Sequence, residues 1–291
     1  MTAPRRGEAE GRAHEVRLGD ALGPEGLAAL PEKSADHAIL DPPYEAEAHT
    51  LQRRVKRGGG VMEVEPLSFS AMTEEGRIAA ARQIARVVRR WVVVFCQVEA
   101  AAKWARSLTD AGLVYKRTGV WVKPDGMPQY SGDRPGMGYE SLVIAHAPGR
   151  SSWNGGGRHG VWTFNKIGPD DLPRTGHETQ KPLALMEALV RDFTDPGDLV
   201  IDPYCGSGTT GVACKRLGRR FLGWDNDPGA EPDPEHGEPG HPPWALVAEK
   251  RIAAAREQYV LPISREPEPK QQALAGVSGA GPDGGGGRPG A

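Results

Sequence analysis

Apolar and polar positions follow two rhythms along the middle of this chain. Short apolar runs of strand length are separated by longer stretches with helical spacing. Ala35–Leu40 reads as a strand running straight into Asp41-Pro42-Pro43-Tyr44. A polar, glycine-bearing loop over 45–69 follows. Thr73–Arg90 reads as a helix capped by Thr73, with Ile78, Ile84, Val87 and Val88 on one side. Trp91–Cys96 (WVVVFC) is the longest apolar run and is strand-sized. Next come a helix over 98–112, a strand over 114–123, a strand over Tyr139–Ala145 and an irregular stretch to about 180. The last third gives a helix over 182–194, a strand Leu199–Ile201, a helix over 208–217, a strand Arg220–Trp224 and a helix over 244–258. Strands alternating with helices predict an α/β fold, a doubly wound, mostly parallel sheet covered on both faces.

The ends depart from this pattern. Residues 1–13 are charged and rich in Gly and Ala, and the segment from Ile263 to Ala291 is rich in Gly and Pro. Neither can bury enough apolar surface to offset its ordering entropy, so both read as disordered tails around a body of 14–262. At 291 residues the chain is long enough for one large α/β domain. No apolar run approaches the ~18 residues of a membrane span. The opening MTAPRRGEAEGR lacks the apolar stretch of a signal peptide. Cys96, Cys205 and Cys214 form no CxxC and cannot all pair. That speaks against a disulfide scaffold or a zinc finger and for a reducing, cytoplasmic compartment. The histidines show no metal-ligand spacing, so no metal is expected. A net charge of -2 excludes a generally basic nucleic-acid coat but leaves room for a local basic patch.

Two constellations carry chemistry. The strand Leu199–Ile201 ends in Asp202-Pro203-Tyr204-Cys205-Gly206-Ser207-Gly208-Thr209-Thr210-Gly211, a GxGxxG turn between strand and helix. Such a turn lets backbone approach a ligand closely, and Asp225 at the end of the next strand is placed to accept from ribose hydroxyls. This predicts an adenosine-bearing ligand; the motif alone fits a nicotinamide or flavin dinucleotide as well as S-adenosylmethionine. The second constellation is Asp41-Pro42-Pro43-Tyr44. Two prolines stiffen the backbone and carry no N–H. A carboxylate beside fixed carbonyl acceptors suits an NH2 group, and Tyr44 supplies a flat face for an aromatic ring. Together they describe a cradle for a planar ring with an exocyclic amine, such as adenine or cytosine. Two acceptors on the amine hydrogens would localise its conjugated lone pair for attack on a sulfonium methyl.

With these motifs in order, the chain resembles the DNA amino-methyltransferases of adenine N6 or cytosine N4. It is similar to the permuted beta class, in which DPPY precedes the methyl-donor turn. The anchors are VRLGD (16–20), DPPY (41–44), VWVKP (120–124), GYE (138–140), HETQKP (177–182), DPYCGSGTT (202–210) and GWDND (223–227). The resemblance implies a Rossmann-like methyltransferase fold, S-adenosylmethionine as cofactor, DNA as partner, base flipping, a place in restriction–modification and a homodimer. It gives Asp41, Pro42, Pro43 and Tyr44 the catalytic role. Asp202, Pro203, Gly206, Gly208, Thr209 and Thr210 would line the donor pocket. His177, Thr179, Gln180 and Lys181 would pack against the methionine part, Asp225 would take the ribose, and Asp20 would lie near the adenine. Glu178 departs from the proline common in the family. An aspartate at the head of DPPY is commoner among adenine enzymes, which favours adenine N6 over cytosine N4. A dinucleotide-dependent oxidoreductase and a non-catalytic DNA-binding relative are the competing readings; the first leaves DPPY and HETQKP unexplained.

A base inside a duplex cannot reach such a pocket, so DNA contacts are expected around it. Arg53, Arg54, Lys56 and Arg57, directly after DPPY, are the candidate phosphate clamp, with a solvated charge run as the plainer reading. The target-reading region is placed at 124–175, where Arg134, Arg150, Asn154 and Arg158 are available for base edges. Lys215, Arg216, Arg219 and Arg220 read as a solvated helix end, and Cys205 as a small filler of the turn.

Overall fold

The computed structural model describes residues 13–44, 71–126, 128, 134–167, 175, 180–231 and 240–257. Their strands, in chain order, are β1 (His14–Leu18), β2 (His37–Leu40), β3 (Trp91–Cys96), β4 (Val114–Val122), β5 (Tyr139–His146), β6 (Val161–Thr163), β7 (Leu199–Asp202) and β8 (Arg220–Asp225). The helices are α1 (Glu74–Val87), α2 (Val98–Asp110), α3 (Leu183–Phe193), α4 (Thr209–Arg216) and α5 (Trp244–Ala254). One sheet has the order β1-β8-β7-β2-β3-β5-β4-β6. β5 runs antiparallel to both of its neighbours, and every other pairing is parallel. The expected mostly parallel, doubly wound sheet is therefore what forms.

Both faces of the sheet are covered, as the unbroken apolar runs require. Leu40, Val92 and Val94 point to one face, against Ala80 and Ile84 of α1 and Trp104 and Leu108 of α2. Ile39, Val93 and Phe95 point to the other, against Leu185, Leu189 and Phe193 of α3 and Val212 of α4. The helix starts are locally encoded. Thr73 Oγ1 accepts from the Gly76 N–H at 3.1 Å, the cap expected of it. α1 stops at Val87 rather than Arg90. Val88 pairs with Ala35 in an isolated bridge, and Lys33 Nζ donates to the carbonyls of Ala85 at 2.7 Å and Val88 at 3.0 Å.

β1 and β6 were not expected as strands. Both are short edge strands: β1 is half exposed, and only Trp162 of β6 is buried. Their pattern is too brief to register as alternation, and pairing with β8 and β4 makes them strands. The irregular stretch read between 146 and 180 holds β6.

At the amino ends of the strands, one buried cluster ties β2, β3 and β7 together. His37, with no exposed surface, donates from Nε2 to Asp198 Oδ2 at 2.9 Å and accepts the Trp91 N–H on Nδ1 at 3.3 Å. Arg90 Nη1 donates to the same Asp198 oxygen at 3.0 Å. Burial holds the His37 imidazole below its ordinary value despite Asp198, so the ring is neutral.

α4 lies unusually close to its neighbours. Gly208 sits at φ +81°, and a Cβ there would fall 2.6 Å from Ala248 Cβ on α5. A Cβ at Gly211 would fall 2.3 Å from Ile252 Cδ1 and 2.7 Å from Phe221 Cδ1. Gly208→Ala therefore combines a left-handed backbone with a collision against helix backbone. It should cost about 2–4 kcal/mol in urea unfolding. A Gly218→Ala control, also at positive φ but with nothing within 4 Å, should cost less.

Candidate active site

β2 and β7 are adjacent parallel strands, with His37 opposite Val200 and Ala38 opposite Ile201. Their carboxyl ends therefore emerge side by side, one carrying DPPY and the other the glycine turn. In open α/β sheets this edge is where ligands bind. Because β5 runs the opposite way, its first residues, Tyr139 and Glu140, reach the same edge as the ends of β3 and β4.

The DPPY end is a notch built on charge. Lys181 Nζ donates to Asp41 Oδ2. It also lies 3.5 Å from Glu140 Oε2. Glu140 Oε1 accepts from Lys123 Nζ at 2.5 Å. Burial and the nearby Glu140 carboxylate push the Tyr44 hydroxyl well above its ordinary value. Lys181 also lies 5.8 Å from the centre of the Tyr44 ring and 5.1 Å from that of Phe95. Asp41 Oδ1 is buried and has no hydrogen-bond partner. Burial pushes the Asp41 carboxyl up, and the Lys181 ammonium opposes it. Burial acts the same way on Glu140, but there Lys181 and Lys123 win and hold it below the usual carboxylate range. Pro42, Pro43 and Tyr44 line a recess shared with Phe95, Cys96, Gln97, Ala100 and Trp104.

The glycine turn is self-braced. Asp202 Oδ2 accepts from the Thr210 hydroxyl at 2.7 Å and Oδ1 from the Tyr204 N–H at 3.0 Å. Asp225 Oδ2 accepts from the Gly206 N–H at 3.0 Å, and Oδ1 from the Asp227 N–H at 3.0 Å. Arg251, from α5, donates to the Ser207 carbonyl at 2.6 Å and to Thr209 Oγ1 at 3.3 Å. The side chains of Thr209 and Thr210 are thus bracing groups, and the first N–H groups of α4 lack intrahelical acceptors. Pro203 is buried in the turn. β1 pairs with β8 up to Leu18 opposite Asp225, and Gly19 N–H donates to the Asp225 carbonyl at 2.8 Å. That brings exposed Asp20 to the strand end beside Asp225. The Tyr204 hydroxyl and Trp224 Nε1 are buried without partners.

The structure therefore gathers Asp20, Asp202, Pro203, Gly206, Gly208, Thr209, Thr210 and Asp225 around one turn, beside the notch of Asp41, Pro42, Pro43 and Tyr44. Lys181 sits on Asp41, on the notch side. Gln180 Oε1 accepts from the Thr175 hydroxyl at 2.7 Å. His177, Thr179, Arg53, Arg54, Lys56 and Arg57 lie outside the described residues. Two residues expected to be free for bases are tied down. Asn154 Nδ2 donates to the Thr194 carbonyl at 3.0 Å and to Asp195 Oδ1 at 3.1 Å, and Arg158 pairs with Asp192. The solvated reading of Arg219 is also corrected. It is buried, donating to the Thr194 carbonyl at 2.7 Å, because the turn before β8 folds it inward. Glu140, Lys123 and Arg251 were given no role from the sequence. The signal for the first two was present, a charged residue at the start of one strand in GYE and just past the end of another in VWVKP.

Burial pushes the Asp202 carboxyl up to about 7, only partly offset by Thr210 and the Tyr204 N–H. A carboxyl raised on folding binds its proton more tightly in the folded chain. Its contribution is therefore fully present below about pH 4 and is lost as pH rises towards 7, by up to about 1.4 kcal/mol per unit. Urea unfolding at pH 5 and pH 8 should show a smaller difference in stability for Asp202→Asn than for the wild type.

The sequence profile of the N6/N4 methylase family, described as DNA methylase, matches residues 35–232. The Type II methyltransferase M.XycI of Xanthomonas campestris pv. cyanopsidis is 33% identical over 137 residues, 43% of this chain and 44% of that protein. The Type II methyltransferase M2.DpnII of Streptococcus pneumoniae is 57% identical over 65 residues, 22% of this chain and 24% of that protein. The chain thus spans less than half the length of these curated relatives. Among solved structures, the M1.HpyAVI–SAM complex superposes with a TM-score of 0.56 at 25% identity, covering 82% of this chain and 98% of that one. A profile match running from the start of β2 past the end of β8 takes in both the notch and the turn, and this chain belongs to the N6/N4 DNA methylase family.

Proposed function

We propose that this chain is an S-adenosylmethionine-dependent DNA methyltransferase acting on the exocyclic amine of a flipped base, adenine N6 in preference to cytosine N4. The observation that carries this reading is the state of Asp41. One oxygen is fixed by Lys181 and the other is buried without a partner, at a strand end beside the glycine turn.

The turn fits the donor. Asp225 keeps acceptor capacity for ribose hydroxyls while holding Gly206, the α4 N–H groups suit a carboxylate, and the unpartnered Tyr204 hydroxyl is a polar group facing no protein partner. When bound, S-adenosylmethionine supplies an electrophilic methyl on a sulfonium. Asp41 Oδ1 accepts one N–H of the target amine, and the Asp41 or Pro42 carbonyl accepts the other. That pyramidalises the nitrogen and localises its lone pair. Tyr44 stacks on the ring. The amine sheds one proton overall, and Oδ1, already facing that N–H, receives it first.

Family membership removes the oxidoreductase alternative. Target reading is assigned to the parts of 124–175 outside β5 and β6, since those two strands belong to the main sheet. Tyr44 and Met72, which flank Arg53, Arg54, Lys56 and Arg57 in sequence, meet at the notch, where the Met72 N–H donates to the Tyr44 carbonyl at 3.0 Å. That location supports a phosphate clamp. Among the described residues no helix is long and apolar enough to cross a membrane, and no three His, Cys, Asp or Glu side chains are grouped so as to hold a metal ion.

Methylation-aware sequencing of DNA from cells expressing the chain, with mass spectrometry of its nucleosides, should give N6-methyladenine within a fixed short sequence. N4-methylcytosine would transfer the assignment to the alternative base, and no methylated base would support a non-catalytic relative. Asp41→Asn should lower single-turnover methylation by at least about 10²-fold while leaving calorimetric donor affinity within a few-fold.

A further inference from the structure

Glu140 has no role in donor binding or in holding the amine, yet it is buried at the centre of the notch. It is the third member of an alternating row of charges, Asp41, Lys181, Glu140 and Lys123, contributed by the end of β2, the residue before Pro182 and α3, the start of β5 and the end of β4. Side-chain exposure along the row is only 21%, 8%, 12% and 14%. Two anions and two cations balance, and no other ion pair links the row to the rest of the described residues.

The order of the row matters. An ammonium held by Asp41 alone would concentrate its field on that carboxylate and weaken the acceptor at Oδ1. A second carboxylate on the far side of the same ammonium draws part of that field away. Lys123 then keeps Glu140 ionised, because an uncompensated carboxylate in such a place would take up a proton. The geometry fits this division: Lys181 is bonded to Asp41 Oδ2, stands at 3.5 Å from Glu140 Oε2, and leaves Oδ1 untouched.

We propose that Glu140, with Lys123 behind it, is a positioning residue that divides the Lys181 ammonium, so that the ammonium fixes Asp41 Oδ2 in place while Oδ1 remains a strong acceptor for the substrate amine. This inference rests on the amine-acceptor role of Asp41 given above. The groups facing Asp41 are Lys181, Glu140 and Lys123, the Tyr44 hydroxyl, and Asp202 at the end of the neighbouring β7.

The test is the pH dependence of single-turnover methylation at saturating donor for the wild type, Glu140→Gln and Lys181→Met. Glu140→Gln removes an anion near Asp41. Its acid limb should move down by about one pH unit, with a plateau about tenfold lower because Lys181 now acts on Asp41 alone. Lys181→Met removes the cation, and its acid limb should move up by about one unit or more. Limbs that stay fixed, or move in the same direction, overturn the proposal, since a purely structural role lowers rate without opposed shifts. Calorimetric donor binding checks that each variant is folded. If either variant fails to bind donor, the ¹³C carboxyl titration of the wild-type chain decides. Asp41 should titrate in two linked steps, one coincident with Glu140, and a single step independent of Glu140 overturns the proposal. That titration needs no activity, so a wild type that methylates no DNA would sink the functional reading without touching this result.

Discussion

The side-by-side pairing of β2 and β7 is the constraint on which the site depends. The two strands are about 160 positions apart in sequence, and each ends in a ligand-type loop. Neither loop is a site by itself. The notch has an acceptor without an electrophile beside it, and the turn has a cradle without anything to receive a methyl. Parallel pairing brings both to one edge of the sheet. The pairing is secured at the opposite edge, where His37 and Asp198 meet at 2.9 Å with Arg90 on the same oxygen. Because burial keeps His37 neutral, its two ring nitrogens have distinct roles, one donating to β7 and one accepting from β3. A three-strand register is thus fixed by one ring, and the opposite ends of the strands are left to carry the charged notch.

Two kinds of buried carboxylate occupy that edge, one with both oxygens engaged and one with an oxygen to spare. Asp202 has both oxygens engaged by its own turn, and burial raises it to about 7. It is a hydrogen-bonding brace whose charge is barely supported. Asp41 has a full counter-charge and an idle oxygen. Burying an unpaired polar atom is costly unless something arrives to satisfy it. An amine N–H is a partner of the right sign.

How much of this was legible depended on whether a feature is local. The Thr73 cap, the all-apolar strand Trp91–Cys96 and the turn from Asp202 to Gly211 are consecutive-residue signals, and the structure builds each of them. β1 and β6 are strands only because β8 and β4 lie beside them, so their short patterns said little. Lys181 belongs to HETQKP, and spacing gave no way to tell the donor side from the notch side. Glu140 and Lys123 meet because β4 and β5 pair in the register that sets Trp121 opposite Glu140. No periodicity announces a register. Asn154 and Arg158 look free in sequence but are claimed by Asp195 and Asp192, which flank the end of α3.

Lys181 also explains why the two halves of the edge need not be mechanically independent. It is followed at once by Pro182, which fixes the entry into α3, and α3 packs Leu185 and Leu189 against the sheet face that also receives Val212 of α4. The ammonium on Asp41 is therefore positioned by the same helix layer that supports the glycine turn. On its other side, Lys181 follows the stretch that ends the proposed target-reading region, with Gln180 anchored to Thr175. A single lysine thus joins the carboxylate at the DPPY end to the helix layer beneath the glycine turn.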